Sequence, residues 1–375
     1  MHTAQKFLVA TLAAGLLAGC APTPQERMDR AEKAMSAHRY SHARPDFQAI
    51  LQDEPDNVRA QAALVRVFMA QDDPASALAM LDALAKRGAE PRNPALLRGE
   101  INLMLGRFDQ ALEAVANNPT AEAWRIRAIA YTGRNEPEQV QAAFENGLRA
   151  PGARARFLAD YARFRLEKGE VAAARDLARQ AIQADPRNLS ALMVSGDAAL
   201  ARKQFRPALA WYSRASSIYP ENRPALLGRI AMLGELKQFD KAHKVVTAAR
   251  AMAPQDTDLL YYEAKIAADT KDWAKTRELL QPYETSLERM PAANALYAEA
   301  LMRLGQEDQA RVMLASQLLR EPENRHVRML LGEAKLATDD SEGALETLAP
   351  FAQWPDASAR ERRLLAEAEA RASGG

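Results

Sequence analysis

Cys20 is the residue whose type and position point most directly to chemistry, because it is the only cysteine among 375 residues. A single thiol excludes an intrachain disulfide framework and a zinc site built from several thiolates. Lys6 precedes a short apolar run, Phe7 to Leu17, which leads into Cys20. At about 1.5 Å per residue this run is too short to cross a hydrocarbon core of about 30 Å, so it predicts a signal peptide rather than a membrane span.

The residues that end this run resemble the lipobox of bacterial lipoproteins: Leu17, Ala18, Gly19 and Cys20. In that family the apolar and small residues fit the signal peptidase, and the cysteine thiol takes a diacylglycerol. The resemblance implies that residues 1–19 are a signal peptide and that residues 20–24 are a lipidated N-terminus and short tether. Several acyl chains on Cys20 would anchor the protein stably, whereas one chain is marginal.

Ala21 indicates which of the two membranes would receive a lipid-anchored protein. Asp at this position tends to retain Gram-negative lipoproteins in the inner membrane, so Ala21 resembles outer-membrane sorting. The expected location is therefore the outer membrane, facing the periplasm, with inner-membrane retention as the alternative. A signal peptide cut after a small residue, with Cys20 unmodified, is the other interpretation that stays open.

A period of about 34 residues organises the rest of the chain. Small residues recur at this spacing in a ladder of ten positions: Ala43, Ala77, Ala111, Val140, Ala174, Ala208, Ala242, Thr276, Ala310 and Ala344. One step, from Ala111 to Val140, is shorter than the others by five positions. A deletion of that length, in a helix cut short before Pro119, reconciles the whole chain into one series of repeats.

The residue types around the ladder resemble the tetratricopeptide repeat, a helix-turn-helix unit of about 34 residues. Twelve residues before the ladder, eight of the ten positions hold Gly or Ala, where crossing helices need a small side chain. The resemblance implies an all-α fold, a right-handed solenoid of about ten repeats over residues 25–355. A capping helix is expected over 356–372 and a loose tail over 373–375.

Charge and composition exclude several functions. Lys and Arg number 50 against 49 Asp and Glu, so the chain lacks the basic surplus typical of nucleic-acid binders. The sequence shows no phosphate-cradling glycine loop and no nucleophile–base arrangement, so we expect neither catalysis nor a cofactor. His38 and His42 have a spacing that can hold a metal on a helix, but no third ligand is evident, and we expect no metal site.

In such a solenoid the first helix of each repeat lines the concave face, where a protein partner would bind. The residues predicted to form this groove combine a Met and Leu floor with charged side chains: Met28, Met35, Met69, Leu96, Leu103, Arg125, Arg163, Met193, Leu200, Leu227, Tyr261, Lys265, Met302 and Met329. Flexible Met suits a surface that adapts to a partner. The alternative is that individual members are core between repeats. No repeat carries the Lys and Asn pair of the carboxylate-clamp co-chaperones.

Several longer stretches are similar to the repeat lipoproteins of bacterial exopolysaccharide production and the PEP-CTERM protein-sorting system, among them AHRYSHARPDFQAILQDEPDN and LYYEAKIAADTKDWAKTRELLQ. Those proteins are considerably longer. The resemblance implies a lipid-anchored scaffold for protein partners in an envelope export system. A pilus, secretin or outer-membrane assembly lipoprotein is the alternative, and an enzyme or small-ligand binder using the groove is a more remote one.

Overall fold

A computed structural model describes residues 22–373 of the chain, in which every regular element is helical. Twenty α-helices alternate as ten helix-turn-helix pairs, and one further helix follows them in the described residues. The predicted all-α class and its ten repeats with a C-terminal helix are therefore confirmed. Among residues 22–373 no helix combines the length and apolarity needed to cross a bilayer.

The described helices fall into two compact units, one formed by residues 22–194 with 217–221 and the other by residues 195–216 with 222–373. The first unit contains α1 (Pro24–Ser36), α2 (Tyr40–Asp53), α3 (Val58–Ala70), α4 (Pro74–Lys86), α5 (Pro94–Met104), α6 (Phe108–Ala114), α7 (Ala121–Gly133), α8 (Pro137–Arg149), α9 (Ala155–Glu167) and α10 (Val171–Ala184). Two helices contribute residues to both units: α11 (Leu189–Leu200) and α12 (Phe205–Ile218).

The second unit contains the remaining helices: α13 (Arg223–Glu235), α14 (Phe239–Met252), α15 (Thr257–Asp269), α16 (Trp273–Leu280), α17 (Pro291–Arg303), α18 (Glu307–Arg320), α19 (Arg325–Ala337), α20 (Ser341–Leu348) and α21 (Ala359–Ser373). Two 3₁₀ helices, Gln281–Arg289 and Ala349–Gln353, continue the short helices α16 and α20. The last helix thus begins three residues after the position 356 expected for a capping helix.

Each repeat turns at one residue in the left-handed region of backbone space. These residues lie five positions before the ladder in all ten repeats: His38, Asp72, Gly106, Asn135, Gly169, Lys203, Lys237, Lys271, Gly305 and Asp339. Only three are glycine, the residue that adopts positive φ without steric cost. The other seven residues have side chains that make positive φ unfavourable. The packing of the two helices keeps the backbone in this conformation at those positions.

The ladder residues form the contact between the two helices of each repeat. All ten are buried, with Val140 the most accessible at 3%. Thr276, the polar exception, donates its hydroxyl to the carbonyl oxygen of Asp272 one turn earlier, at 2.9 Å. The small residue twelve positions before the ladder is equally confined. A Cβ added to Gly332 would lie 2.4 Å from Leu348 Cδ2.

The predicted deletion shortens α6, which has only seven residues where α8 and α10 have 13 and 14. The carbonyl groups beyond the C-terminal end of the shortened α6 need other donors. Arg127 on the next helix supplies them, since its Nη2 donates to the carbonyl oxygens of Val115 and Asn118. The Arg127 guanidinium also lies 4.3 Å from the centre of the Trp124 ring.

Candidate functional site

The first unit contains a cavity of about 830 Å³ bordered by the first helices of consecutive repeats. Met69 on α3 and Leu96 and Leu97 on α5 supply apolar side chains to its wall. Polar and charged side chains supply the rest of the wall: Arg92, Asn93, Glu100, Asn118, Thr120, Glu122, Arg154, Arg156, Asp185 and Asn188. The cavity therefore joins an apolar floor to a charged rim, as the predicted groove does.

A network of charges lies in the wall of this cavity and ties three repeats together. Arg125 on α7 is 3% exposed and donates to Glu100 on α5, to Glu122 one turn before it at 2.9 Å, and to Asp160 on α9 at 2.9 Å. Arg156 is about half exposed and contacts Glu100 at 2.6 Å and Glu122 at 3.1 Å. The two guanidiniums thus hold three carboxylates in place.

Burial sets the protonation of this network. Removal from water lowers the pKa of the Arg125 guanidinium to about 10, so the side chain keeps its charge at neutral pH. Burial also raises the pKa of Glu122, although the charge of Arg156 opposes the change. Because Arg125 is enclosed by its carboxylate partners, its guanidinium is not accessible to a partner in the groove.

The second unit has two adjoining cavities, of about 680 and 520 Å³, on either side of α15. Tyr261, Lys265 and Asp269 line both of them. Trp273 and Leu296 add apolar surface to the larger one, and Lys265 forms an ion pair of 3.1 Å with Asp269. Half-buried aromatic rings beside polar groups are typical of surfaces that bind proteins.

The fourteen predicted groove residues have four different environments. Four line the cavities: Met69, Leu96, Tyr261 and Lys265. Five are half-buried: Met35, Leu103, Met193, Leu227 and Met329. Two are exposed: Arg163 and Leu200. Three are buried and do not offer a surface: Met28, Arg125 and Met302.

The three buried residues correct the predicted groove. Met28 belongs to the apolar cluster that includes Phe47 and Leu64, so it joins its own repeat to the next one. Met302 is 8% exposed in a corresponding cluster of the second unit, and Arg125 forms the charge network. At these positions the neighbouring helices close over the side chain, as the core alternative allowed.

Arg156, Glu122 and Asp160 are the site residues that sequence reasoning did not single out. The ladder does not mark them, because most of their ion pairs join different repeats and follow no common spacing. Arg125 was the available signal, since a charged residue stands there at a repeat position that is otherwise mostly apolar. A buried arginine requires carboxylates nearby.

The two histidines of the first repeat are engaged in contacts rather than arranged as metal ligands. The His38 ring packs on the Tyr219 ring with centroids 4.1 Å apart, and its Nδ1 lies 2.9 Å from the Tyr40 hydroxyl. His42 lies 3.5 Å from the Glu221 carboxylate. Among residues 22–373 no group of three or more His, Cys, Asp and Glu side chains could hold a metal ion. The lipobox residues 17–20 lie outside the described residues.

Comparisons with known proteins identify the repeat. Tetratricopeptide repeat family models match residues 34–101 and 160–223. A tetratricopeptide repeat protein from Parabacteroides merdae ATCC 43184 has a similar structure, with a TM-score of 0.55 and 14% identity over 66% of this chain and 98% of that one. No curated protein matched the sequence.

The Cut9 and Hcn1 hetero-tetramer of APC/C contains a second similar chain, with a TM-score of 0.51 and 14% identity over 92% of this chain and 96% of that one. At this identity the likeness concerns the fold. Together with the family models, it confirms the tetratricopeptide-type helix-turn-helix repeats that the ladder predicted.

Proposed function

We propose that this chain of tetratricopeptide repeats is a lipid-anchored scaffold that binds protein partners in the bacterial envelope. The observation that carries the binding function is the position of the cavities. In each unit they are lined by first-helix residues that the repeat pattern predicts for a groove, Met69 and Leu96 in one and Tyr261 and Lys265 in the other. Repeat proteins use such extended surfaces for binding.

The envelope location rests on the sequence of the first twenty residues. A lipobox that ends at Cys20 supports cleavage, acylation and a periplasm-facing outer-membrane anchor. The similarity to exopolysaccharide and PEP-CTERM lipoproteins supports a role in assembling or regulating an export system. Assembly of pili, secretins or outer-membrane proteins uses the same anchor and repeat, so it is the alternative assignment.

Photo-crosslinking in cells tests the binding surfaces. A photoreactive phenylalanine derivative at position 69 or 261, in place of Met69 or Tyr261, is expected to capture a defined protein of the envelope. The same substitution for Leu319, which is 84% exposed and lines none of the cavities described above, is the control. Equal capture from all three positions, or none from either cavity, would refute the proposed groove.

A second experiment tests the anchor separately from the groove. Cys20→Ala removes the thiol that would carry the acyl chains, so the protein is expected to leave the membrane fraction and stay soluble in the periplasm. Metabolic labelling with palmitate should mark the wild-type protein alone. A Cys20→Ala protein that stays fully membrane-bound and functional would show that the anchor is wrong while leaving the groove assignment intact.

A further inference from the structure

Two guanidiniums in the wall of the first unit's cavity have no carboxylate partner in the described part of the chain. Arg92 precedes α5 and Arg154 precedes α9, and both are exposed and line the cavity. Neither forms an ion pair within residues 22–373, unlike Arg156 two residues further on. Two unpaired arginines that face one cavity favour the binding of a negatively charged group there.

The carboxylates of the wall do not pair with these two arginines. Glu100 and Glu122 each accept from both Arg125 and Arg156, which occupies them within the charge network. Asp185 is the other carboxylate in the wall, and it accepts the backbone N–H of Arg187 at 3.0 Å. The formal charges of the wall therefore cancel. The guanidiniums of Arg92 and Arg154 are nevertheless free to donate hydrogen bonds, whereas the wall carboxylates already accept them.

The helices around the cavity add positive potential. α5, α7 and α9 begin at the cavity, where Asn93, Thr120 and Ala155 line it. α5 and α9 have no side-chain cap; in α5, however, Pro94 carries no N–H and the N–H of Leu96 already donates to Asn93. A helix N-terminus is equivalent to about half a positive charge. The N-terminal ends of three helices therefore add positive partial charge to the cavity, against the single C-terminal end of α10 at Ala184.

The floor of the cavity determines what kind of anion fits. Met69, Leu96 and Leu97 form an apolar surface beside the two arginines, in a space of about 830 Å³. A small inorganic anion would leave this surface in water, whereas a peptide would cover it with an apolar side chain. Flexible Met69 can adjust to different apolar side chains.

We propose that this cavity docks an acidic polypeptide segment of the partner, a class of ligand that rests on the scaffold function proposed above. Carboxylates of the segment pair with Arg92 and Arg154, and an apolar side chain packs on Met69 and Leu96. The surface differs from a carboxylate clamp, because the cations are arginines in front of first helices. The segment binds through side-chain charge and one apolar anchor.

A pair of matched peptides tests this proposal on the full-length protein in detergent micelles. Both are fluorescein-labelled and alternate Leu with a charged residue, which is Asp in one and Lys in the other. Fluorescence anisotropy should show the Asp peptide binding at least about tenfold more tightly, because charge complementarity selects between them. Added salt should weaken its binding, since exposed ion pairs are screened.

Charge-reversal variants locate the binding site. The double variant R92E/R154E should weaken binding of the Asp peptide by about tenfold or more. The control R149E/R175E changes the net charge equally on exposed arginines of α8 and α10 that do not line the cavity, and should leave binding within about twofold. D185N should tighten binding because it removes a wall carboxylate. Circular dichroism spectra and melting curves should show that all variants fold.

Three results would overturn the proposal: equal binding of the two peptides, no binding of either, or loss of affinity in R92E/R154E no greater than in R149E/R175E. Photo-crosslinking separates this failure from that of the scaffold function. If the derivatives at positions 69 and 261 still capture a protein while the peptides fail, the scaffold stands and its partner is not acidic. If both experiments fail, the scaffold function fails too.

Discussion

At the scale of single residues, Arg125 shows how one charged side chain replaces apolar packing between repeats. Its position follows the repeat pattern that elsewhere places Met, Leu, Ala or Tyr, and the structure encloses it between α5, α7 and α9. Three carboxylates compensate its burial, and their own side chains are only 18% or 19% exposed. The network thus joins α5, α7 and α9 through charge at a position where other repeats have apolar side chains.

Removing Arg125 should destabilise the protein strongly. Arg125→Leu removes the cation that Glu100, Glu122 and Asp160 share, while Arg156 still pairs with Glu100 and Glu122. Breaking a buried pair in this way costs about 3 to 5 kcal/mol. Urea unfolding followed by circular dichroism measures the loss. Arg179→Leu is the control, because its ion pair with Asp176 is exposed and contributes about 0 to 1 kcal/mol. Equal shifts in the two variants would contradict a structural role for the network.

The sequence could predict part of this site and not the rest. The ladder located Met69, Leu96, Tyr261 and Lys265 because each repeat presents the same positions to the same face. It did not foresee the burial of Arg125, since that depends on Glu100 from the preceding repeat and Asp160 from the next one. Such contacts join side chains of different repeats, so the period of a single repeat does not reveal them.

At the scale of helices, the small residue of each repeat decides how closely its two helices approach. Gly332 lies inside α19, where the Leu348 side chain of α20 occupies the space that a Cβ would need. Gly234 lies inside α13 with no atom within 4 Å of the corresponding position. The two glycines share a helical setting and differ in their neighbours.

The two glycines should therefore respond oppositely to alanine. Gly332→Ala should destabilise the protein by about 1 to 3 kcal/mol, because overpacking forces the helices apart. Gly234→Ala should stabilise it by up to about 1 kcal/mol, since alanine favours the helix and meets no contact. Thermal melting measures both. A stabilising Gly332→Ala would show that the helices can separate freely and that the position sets no spacing.

The helix order was predictable from the ladder, whereas helix lengths were less so. The short step between Ala111 and Val140 correctly predicted a shortened helix at α6. The 3₁₀ continuations after α16 and α20 were not foreseen. Pro282 and Pro350 follow those helices and remove a backbone donor, which interrupts the α-helical pattern of hydrogen bonds.

At the scale of the whole chain, the stability of a repeat protein depends on the interfaces between neighbouring repeats. The last helix covers the exposed face of the final repeat. Leu365 and Ala368 of α21 pack into one cluster with Leu348 and Phe351. Glu361 joins α21 to α19, where Arg325 donates to it at 2.8 and 3.1 Å.

Acid should loosen this end of the protein. The Arg325 hydrogen bonds lower the pKa of Glu361 below its ordinary value of 4.5. A lowered pKa stabilises the fold above the unfolded value, and this stability is lost as pH falls from 4.5 through the folded value. Glu361→Gln should lower the melting temperature at neutral pH by about 2 to 4 °C and reduce its dependence on acid.

Fluorescence from Trp354, which packs on Phe351 at the same end, can follow this transition. Glu367→Gln is the matched control, because Glu367 forms an exposed ion pair with Arg371 within α21. It should leave the melting temperature nearly unchanged. If the two variants show the same acid dependence, Glu361 does not secure the last helix.

The left-handed residue in every turn has a consequence for mutational tolerance. Ten turns share one backbone dihedral, yet His, Asp, Asn, Lys and Gly all occupy the position. A non-glycine residue there costs only about 1 to 2 kcal/mol, a cost that packed neighbours can absorb. Substitutions can therefore accumulate at the turns without altering the repeat. The same tolerance is expected in solved chains of similar fold that share only 14% of their residues with this one.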